Sequence, residues 1–186
     1  MTAQKLEDML SGGENPEVIS LEYAPEKLKT ADQCLKAVEQ YGLVLKYVPE
    51  ELKTAKMCLT AVKQNAYNLQ YVPERFMTVK LCFMAVKTKG NALRFIPQNL
   101  KTAELCLVAV RRRGWALQYV PEEHKTAKLC LAAVHQHSDA LQYVPEKLKE
   151  QVKKAAGKER PDTTLYDFVG KDEDDLFVNT KELDDG

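Results

Sequence analysis

The sequence predicts an all-α solenoid of five to six 24-residue units, each made of one helix of about ten residues plus a shorter helix or 3₁₀ turn. Three ladders at one ungapped spacing predict it. Pro25, Pro49, Pro73, Pro97, Pro121 and Pro145 recur every 24 residues, as do Cys34, Cys58, Cys82, Cys106 and Cys130, and Leu21, Leu45, Leu69, Leu93, Leu117 and Leu141. A fixed period of this length is the mark of stacked supersecondary units, none of which can bury its apolar flank alone.

Taken in order, residues 1–20 read as an N-terminal capping helix and linker, in which Leu6, Met9 and Leu10 share one face and Gly12-Gly13 stop the helix. The solenoid occupies residues 21–156. Its unit reads Leu-x-Tyr-Val-Pro-Glu-x-Leu-Lys-Thr-Ala-x-x-Cys-Leu-x-Ala-Val, then six looser residues. Five units run from Leu21 to Ala140, and a sixth opens at Leu141 and loses the pattern after Lys149. Thr30, Thr54, Thr78, Thr102 and Thr126 precede runs of good helix formers, so each is expected to cap a helix with its hydroxyl. Gly42, Gly90 and Gly114 stand where a left-handed residue would close that helix, with Ala66 and Ser138 in the same slot of the other units.

A second, shorter helix, such as Ala116 to Val120, has to end before the proline, which lacks an N–H and disfavours a helical residue ahead of it. In the longer helix Cys106, Ala109 and Val110 share a face, and Leu105 and Leu107 widen it. That breadth predicts a helix covered on both sides by neighbouring units. Leu117 and Val120 are expected to point inward with Tyr119 at the edge. Glu146 to Ala156 reads as a charged closing helix stopped by Gly157, and residues 157–186 as an acidic, largely disordered tail.

Charge separates these regions although the chain as a whole is neutral. Residues 1–20 sum to −3, residues 21–156 to +9 and residues 157–186 to −6. A basic body between acidic ends suits an anionic partner or self-masking. No stretch approaches the roughly 20 apolar residues of a membrane span. The opening residues lack the apolar run of a secretory signal, so a cytoplasmic location and no membrane partner are expected.

The segment Leu-Gln-Tyr-Val-Pro-Glu-Glu-His-Lys-Thr-Ala-Lys-Leu-Cys-Leu-Ala-Ala-Val at 117–134 resembles the bacterial and protist tandem repeat known as domain of unknown function 4116. The resemblance extends from residue 21 to about 149 and rests on the Tyr-Val-Pro-Glu and Cys-Leu-x-Ala-Val segments. It implies helical tandem repeats and brings no activity, cofactor or catalytic residue. The alternation of long and short helices is also similar, in geometry alone, to the leucine-rich-variant solenoids.

Chemistry finds little footing. Equivalent cysteines in stacked units should lie about 8–10 Å apart, beyond the roughly 7 Å a disulfide spans, and no Cys-x-x-Cys occurs. They read as small buried residues in a reducing compartment. His135 and His137 are two apart and do not face each other, and His124 replaces a leucine, so no metal is expected. Ser11, Ser20 and Ser138 have no nucleophile-elbow context, and no glycine loop cradles phosphate. The expectation is a protein without catalysis or cofactor.

The units differ most at the end of the longer helix, at Glu39-Gln40-Tyr41, Lys63-Gln64-Asn65, Lys87-Thr88-Lys89, Arg111-Arg112-Arg113 and His135-Gln136-His137. Leu43, Tyr67, Asn91, Trp115 and Asp139 follow two residues later. Stacking would line these positions into a basic ridge with aromatic residues interleaved, of the kind that anchors protein interfaces. Candidate partner-binding residues are Tyr41, Lys63, Tyr67, Lys87, Lys89, Arg111, Arg112, Arg113, Trp115 and His135. Bases near a helix C-terminus also complement its dipole, and Trp115 could equally pack between units. The expected function is a protein-binding scaffold whose partner has acidic character. The alternative is nucleic-acid association through the basic body, although no nucleic-acid module is present. In the tail, Leu165, Tyr166, Phe168, Leu176 and Phe177 form apolar knots beside the run Asp172-Glu173-Asp174-Asp175, as in a docking peptide rather than a plain linker.

Overall fold

A computed structural model of the chain describes residues 30–157. Within that span lie six α-helices: α1 (Ala31–Gln40), α2 (Ala55–Gln64), α3 (Val79–Thr88), α4 (Ala103–Arg112), α5 (Ala127–Gln136) and α6 (Glu146–Ala156). Each of α1–α5 is followed by a six-residue 3₁₀ segment: Gly42–Tyr47, Ala66–Tyr71, Gly90–Phe95, Gly114–Tyr119 and Ser138–Tyr143. After each of the first four comes a one-turn 3₁₀ piece, Glu50–Leu52, Glu74–Phe76, Gln98–Leu100 or Glu122–His124. The described residues contain no strand. The all-α repeat predicted from spacing is what the chain adopts, and the shorter helical piece is 3₁₀ throughout.

Each start signal works as the chemistry requires. Thr30, Thr54, Thr78, Thr102 and Thr126 are extended, and their hydroxyls accept from the N–H groups of Gln33, Met57, Leu81, Leu105 and Leu129. Gln33 also accepts from the Thr30 N–H, completing a capping box. Val48, Val72, Ile96, Val120 and Val144 close the long 3₁₀ segments in extended conformation, as a residue before proline prefers.

The elements form two parallel rows. Each of α2–α5 packs on the helices and on the 3₁₀ segments before and after it, while successive 3₁₀ segments pack on one another. The core lies between the rows. The helices supply Cys, Ala and Val, for example Cys106, Ala109 and Val110, and the 3₁₀ row supplies Ala116, Leu117 and Val120. Cys34, Cys58, Cys82, Cys106 and Cys130 are all buried and form no disulfide. At the C-terminal end α6 takes over from the repeat, burying Val152 and presenting its charged side outward.

One expectation is corrected. The glycines are not left-handed caps. The capping residues are Tyr41, Asn65, Lys89, Arg113 and His137, all extended, with their N–H groups donating to Ala37, Ala61, Ala85, Ala109 and Ala133. The glycines instead open the 3₁₀ segments where the next helix comes close. A Cβ on Gly90 or Gly114 would sit closer than 3.0 Å to the carbonyl oxygen of Ala109 or Ala133. As expected, the long helix is covered on both sides by adjacent units, each of α2–α5 packing on the helix before it and the helix after it. Leu81, Leu105 and Leu129 are buried, but two residues on, Phe83, Leu107 and Leu131 are only half-buried and Leu59 is exposed. The flank toward the 3₁₀ row is closed, and the flank turned away from it is partly open to solvent.

The expected N-terminal capping helix, the first rungs Leu21 and Pro25, and the tail residues Leu165, Tyr166, Phe168, Leu176 and Phe177 lie outside the described residues.

Candidate functional site

The variable positions fall at the C-terminal ends of α1–α5 and the first turn of each 3₁₀ segment, on neighbouring units. They are not one uniform ridge. At the N-terminal end they are open: Tyr41, Leu43 and Tyr67 are 48%, 52% and 38% exposed. The outward side of the helices adds Leu59 and Val79, at 40% and 48%. Lys63 and Lys89 are exposed, and Glu39 pairs with Lys56 at 3.3 Å. Asn65 steadies the first turn beside Tyr67 by accepting from its N–H. The Tyr67 ring meets Phe95 of the following segment edge-on, with centroids 6.3 Å apart.

At the C-terminal end the aromatic position is packed between units. Trp115 is half-buried, with ring centroids 6.0 Å from His137 and 6.1 Å from Tyr143, both edge-on. The Arg112 guanidinium donates through Nε to the carbonyl of Lys87 in the preceding helix. Lys87 is itself half-buried. Gln136 does the same duty for α4: its amide donates to the Arg111 carbonyl and its oxygen accepts from the Gly114 N–H. Arg111 and His135 are half-buried, with Nε and Nε2 respectively shielded and without a hydrogen-bond partner, whereas Arg113 is exposed. Of the ten candidate residues, Arg112 and Trp115 therefore have structural work, and Tyr41, Lys63, Tyr67, Lys89 and Arg113 face outward.

Two sets of residues had a readable signal that composition alone disguised. The last residue of each helix is Gln40, Gln64, Thr88, Arg112 or Gln136. Gln64 repeats the Gln136 clamp, donating to the carbonyls of Val38 and Glu39 at 2.9 Å and accepting from the Gly42 N–H at 2.6 Å. A long polar side chain at this position in every unit but that of Thr88 was the sign. The second set is the lysine of the repeat. Lys53 and Lys101 are buried, their ammonium groups donating to the carbonyls of Tyr71 and Tyr119 at 2.9 and 3.1 Å. Lys53 is also neutralised by Glu50 at 2.6 Å, whereas Lys101 has Gln98 in place of that acid. Burial holds the Lys101 ammonium below its ordinary pKa.

An open groove of about 480 Å³ lies at the C-terminal end, lined by Trp115, Ser138, Asp139, Leu141, Gln142, Lys149 and Lys153. Lys149 and Lys153 each hold an exposed neighbour on their own helix, Glu146 at 2.6 Å and Glu150 at 2.9 Å. Burial pushes the thiols of Cys58, Cys82, Cys106 and Cys130 up to about 11, so they are protonated and poorly nucleophilic at neutral pH. Among the described residues no three His, Cys, Asp or Glu side chains come together as metal ligands, and no helix is long and apolar enough to cross a membrane.

The family model for DUF4116, a domain of unknown function, matches residues 32–77, 56–101, 79–125 and 102–149 in overlapping windows, each about two units long. No curated protein and no solved structure matches the chain. Two-unit windows are what a stack requires, because one unit does not bury its own flank. With matches running from residue 32 to residue 149, the chain belongs to the DUF4116 family of tandem repeats.

Proposed function

We propose that this protein is a non-catalytic, cytoplasmic protein-interaction scaffold that receives its partner on the open, N-terminal part of the ridge and the adjoining outward side of the helices. One observation carries the reading. Tyr41, Leu43, Leu59, Tyr67 and Val79, the large exposed apolar side chains among the described residues, all fall within residues 41–79. Exposed Lys56, Lys63 and Lys80 stand among them. Large apolar groups kept in water beside cations are typical of surfaces that are covered when a partner binds. Acidic character in the partner would suit those lysines, and five reduced, buried thiols suit a reducing compartment.

The test is capture by the full chain from its native cell at low and at raised salt, in parallel with the Leu59→Ser/Tyr67→Ser variant, whose helicity is checked first. A protein retained by the parent chain at both salt concentrations and lost with the variant supports the proposal. Nucleic acid captured at low salt, released steeply as salt rises and indifferent to the variant, would replace it with phosphate binding by the basic body.

A further inference from the structure

We propose that the groove at the C-terminal end receives this chain's own tail, with the Leu165–Val169 segment seated against Trp115 and Leu141 and Asp167 facing Lys149 and Lys153. This stands apart from the partner surface, which lies at the opposite end of the array.

Four observations converge on that occupant. The groove's volume, about 480 Å³, is in the range that accepts a few side chains. Its wall is apolar and aromatic at Trp115 and Leu141 and cationic at Lys149 and Lys153, with Asp139 as its acid. The tail carries the complement in one short stretch, Leu165-Tyr166-Asp167-Phe168-Val169, within a segment of net charge −6. Finally, the tail starts beside the groove. Lys153 lines it, and α6 ends at Ala156, so the departure point is about one helical turn, or ~6 Å, away. Leu165 is the eighth residue after Gly157, a reach of at most ~29 Å, which permits a return to the groove. A tether this short gives an effective concentration on the order of millimolar, so even weak complementarity would keep the groove filled.

The lysines need no new charge to receive the segment. Glu146 and Glu150, which pair with them now, are 86% and 87% exposed. Exchanging such solvent-facing partners for Asp167 has little cost.

Trp115 is the chain's single tryptophan and stands in the groove wall, so its fluorescence reads occupancy in the full chain. Compared with the parent, Tyr166→Ala/Phe168→Ala should shift Trp115 emission to the red and raise its quenching by acrylamide, with unchanged helicity. Lys153→Glu should do the same, and combining it with Asp167→Lys should restore the parent's emission and quenching. Identical emission and quenching in the parent and the Tyr166→Ala/Phe168→Ala variant would overturn the proposal. So would protection that fades on dilution, which would assign the groove to a second copy. An independent readout keeps the inference open to refutation if emission is insensitive. Amide exchange at residues 138–143 and 149–153 should quicken in the tail variant, and unchanged rates there would also refute it.

Discussion

The two ends of the variable ridge use the same register positions for different purposes. Around Tyr41 and Tyr67 the side chains stand in water, and Tyr67 touches one ring, Phe95. Around Trp115, the equivalent of Tyr67, the ring is wedged between His137 and Tyr143, whereas the helix-end clamp is common to both ends, Gln64 tying α2 to α1 as Arg112 ties α4 to α3. A position that varies from unit to unit is thus not for that reason a binding position. In a stack, variation also serves to adjust how one unit fits the next, and burial tells the two uses apart.

The interior is alike at both ends, which supplies a baseline. Four thiols from Cys58 to Cys130 have pKa values raised to about 11 from an ordinary 9.0. Because the folded value is the higher one, their stabilising contribution is intact below pH 9 and is lost as pH climbs through 11. The shift corresponds to at most ~2–3 kcal/mol per thiol. Chemical denaturation at pH 7.5 and pH 10.5 should therefore show a large fall in stability. Lys101, whose folded value is depressed, works weakly in the opposite direction over the same alkaline range. An alkaline-resistant array would contradict thiol burial.

Next in size is the close approach at the opening of the 3₁₀ segments. Gly90→Ala and Gly114→Ala put a methyl group against backbone carbonyls that cannot rotate away, and should each cost ~1–3 kcal/mol in thermal or urea melts. Ala66 occupies this slot natively, at 1% exposure, so Ala66→Gly should cost about 1 kcal/mol or less.

The comparison itself is sharpened by truncating the large ridge residues in series. Trp115→Ala should destabilise by about 2–3 kcal/mol, below the cost of a fully buried ring because Trp115 is only partly buried. Tyr67→Ala should cost about 1 kcal/mol for its edge contact, and Leu43→Ala, 52% exposed, within ~0.5 kcal/mol of nothing. Equal losses at all three positions would erase the difference between the ends. Smallest of all is the pair of arginines. Arg112→Met removes an inter-unit hydrogen bond worth about 1 kcal/mol, while Arg113→Met, exposed, should leave urea midpoints unchanged.

Much of the fold could be read from spacing because the determinants are local. A threonine before a run of helix formers, a proline that ends a helical segment, and a Cys-Ala-Val face need only a few neighbouring residues to act. What could not be read depends on the neighbouring unit. Gly90 reads as a cap in isolation and becomes a close-approach residue only once Ala109 arrives beside it. Gln64 and Gln136 look like solvent-facing polar residues, yet their partners are on the preceding helix. Lys101 looks like a surface charge, although its stem lies in the core and its ammonium reaches Tyr119. Met77 fills that slot of another unit at 8% exposure, which shows that what the position chiefly requires is a long apolar stem. Of the site, the sequence disclosed the ridge positions but not their division into open and packed ends, since exposure is set by what stacks above.

Placing a photo-crosslinking residue singly at Tyr41, Tyr67, Trp115 or Arg113 of the full chain, in its native cell, examines the division between the ends most directly. Adducts to one protein from positions 41 and 67, with none from 113 and 115, are the predicted result. Adducts confined to 113 and 115 would contradict it and move the binding surface to the other end.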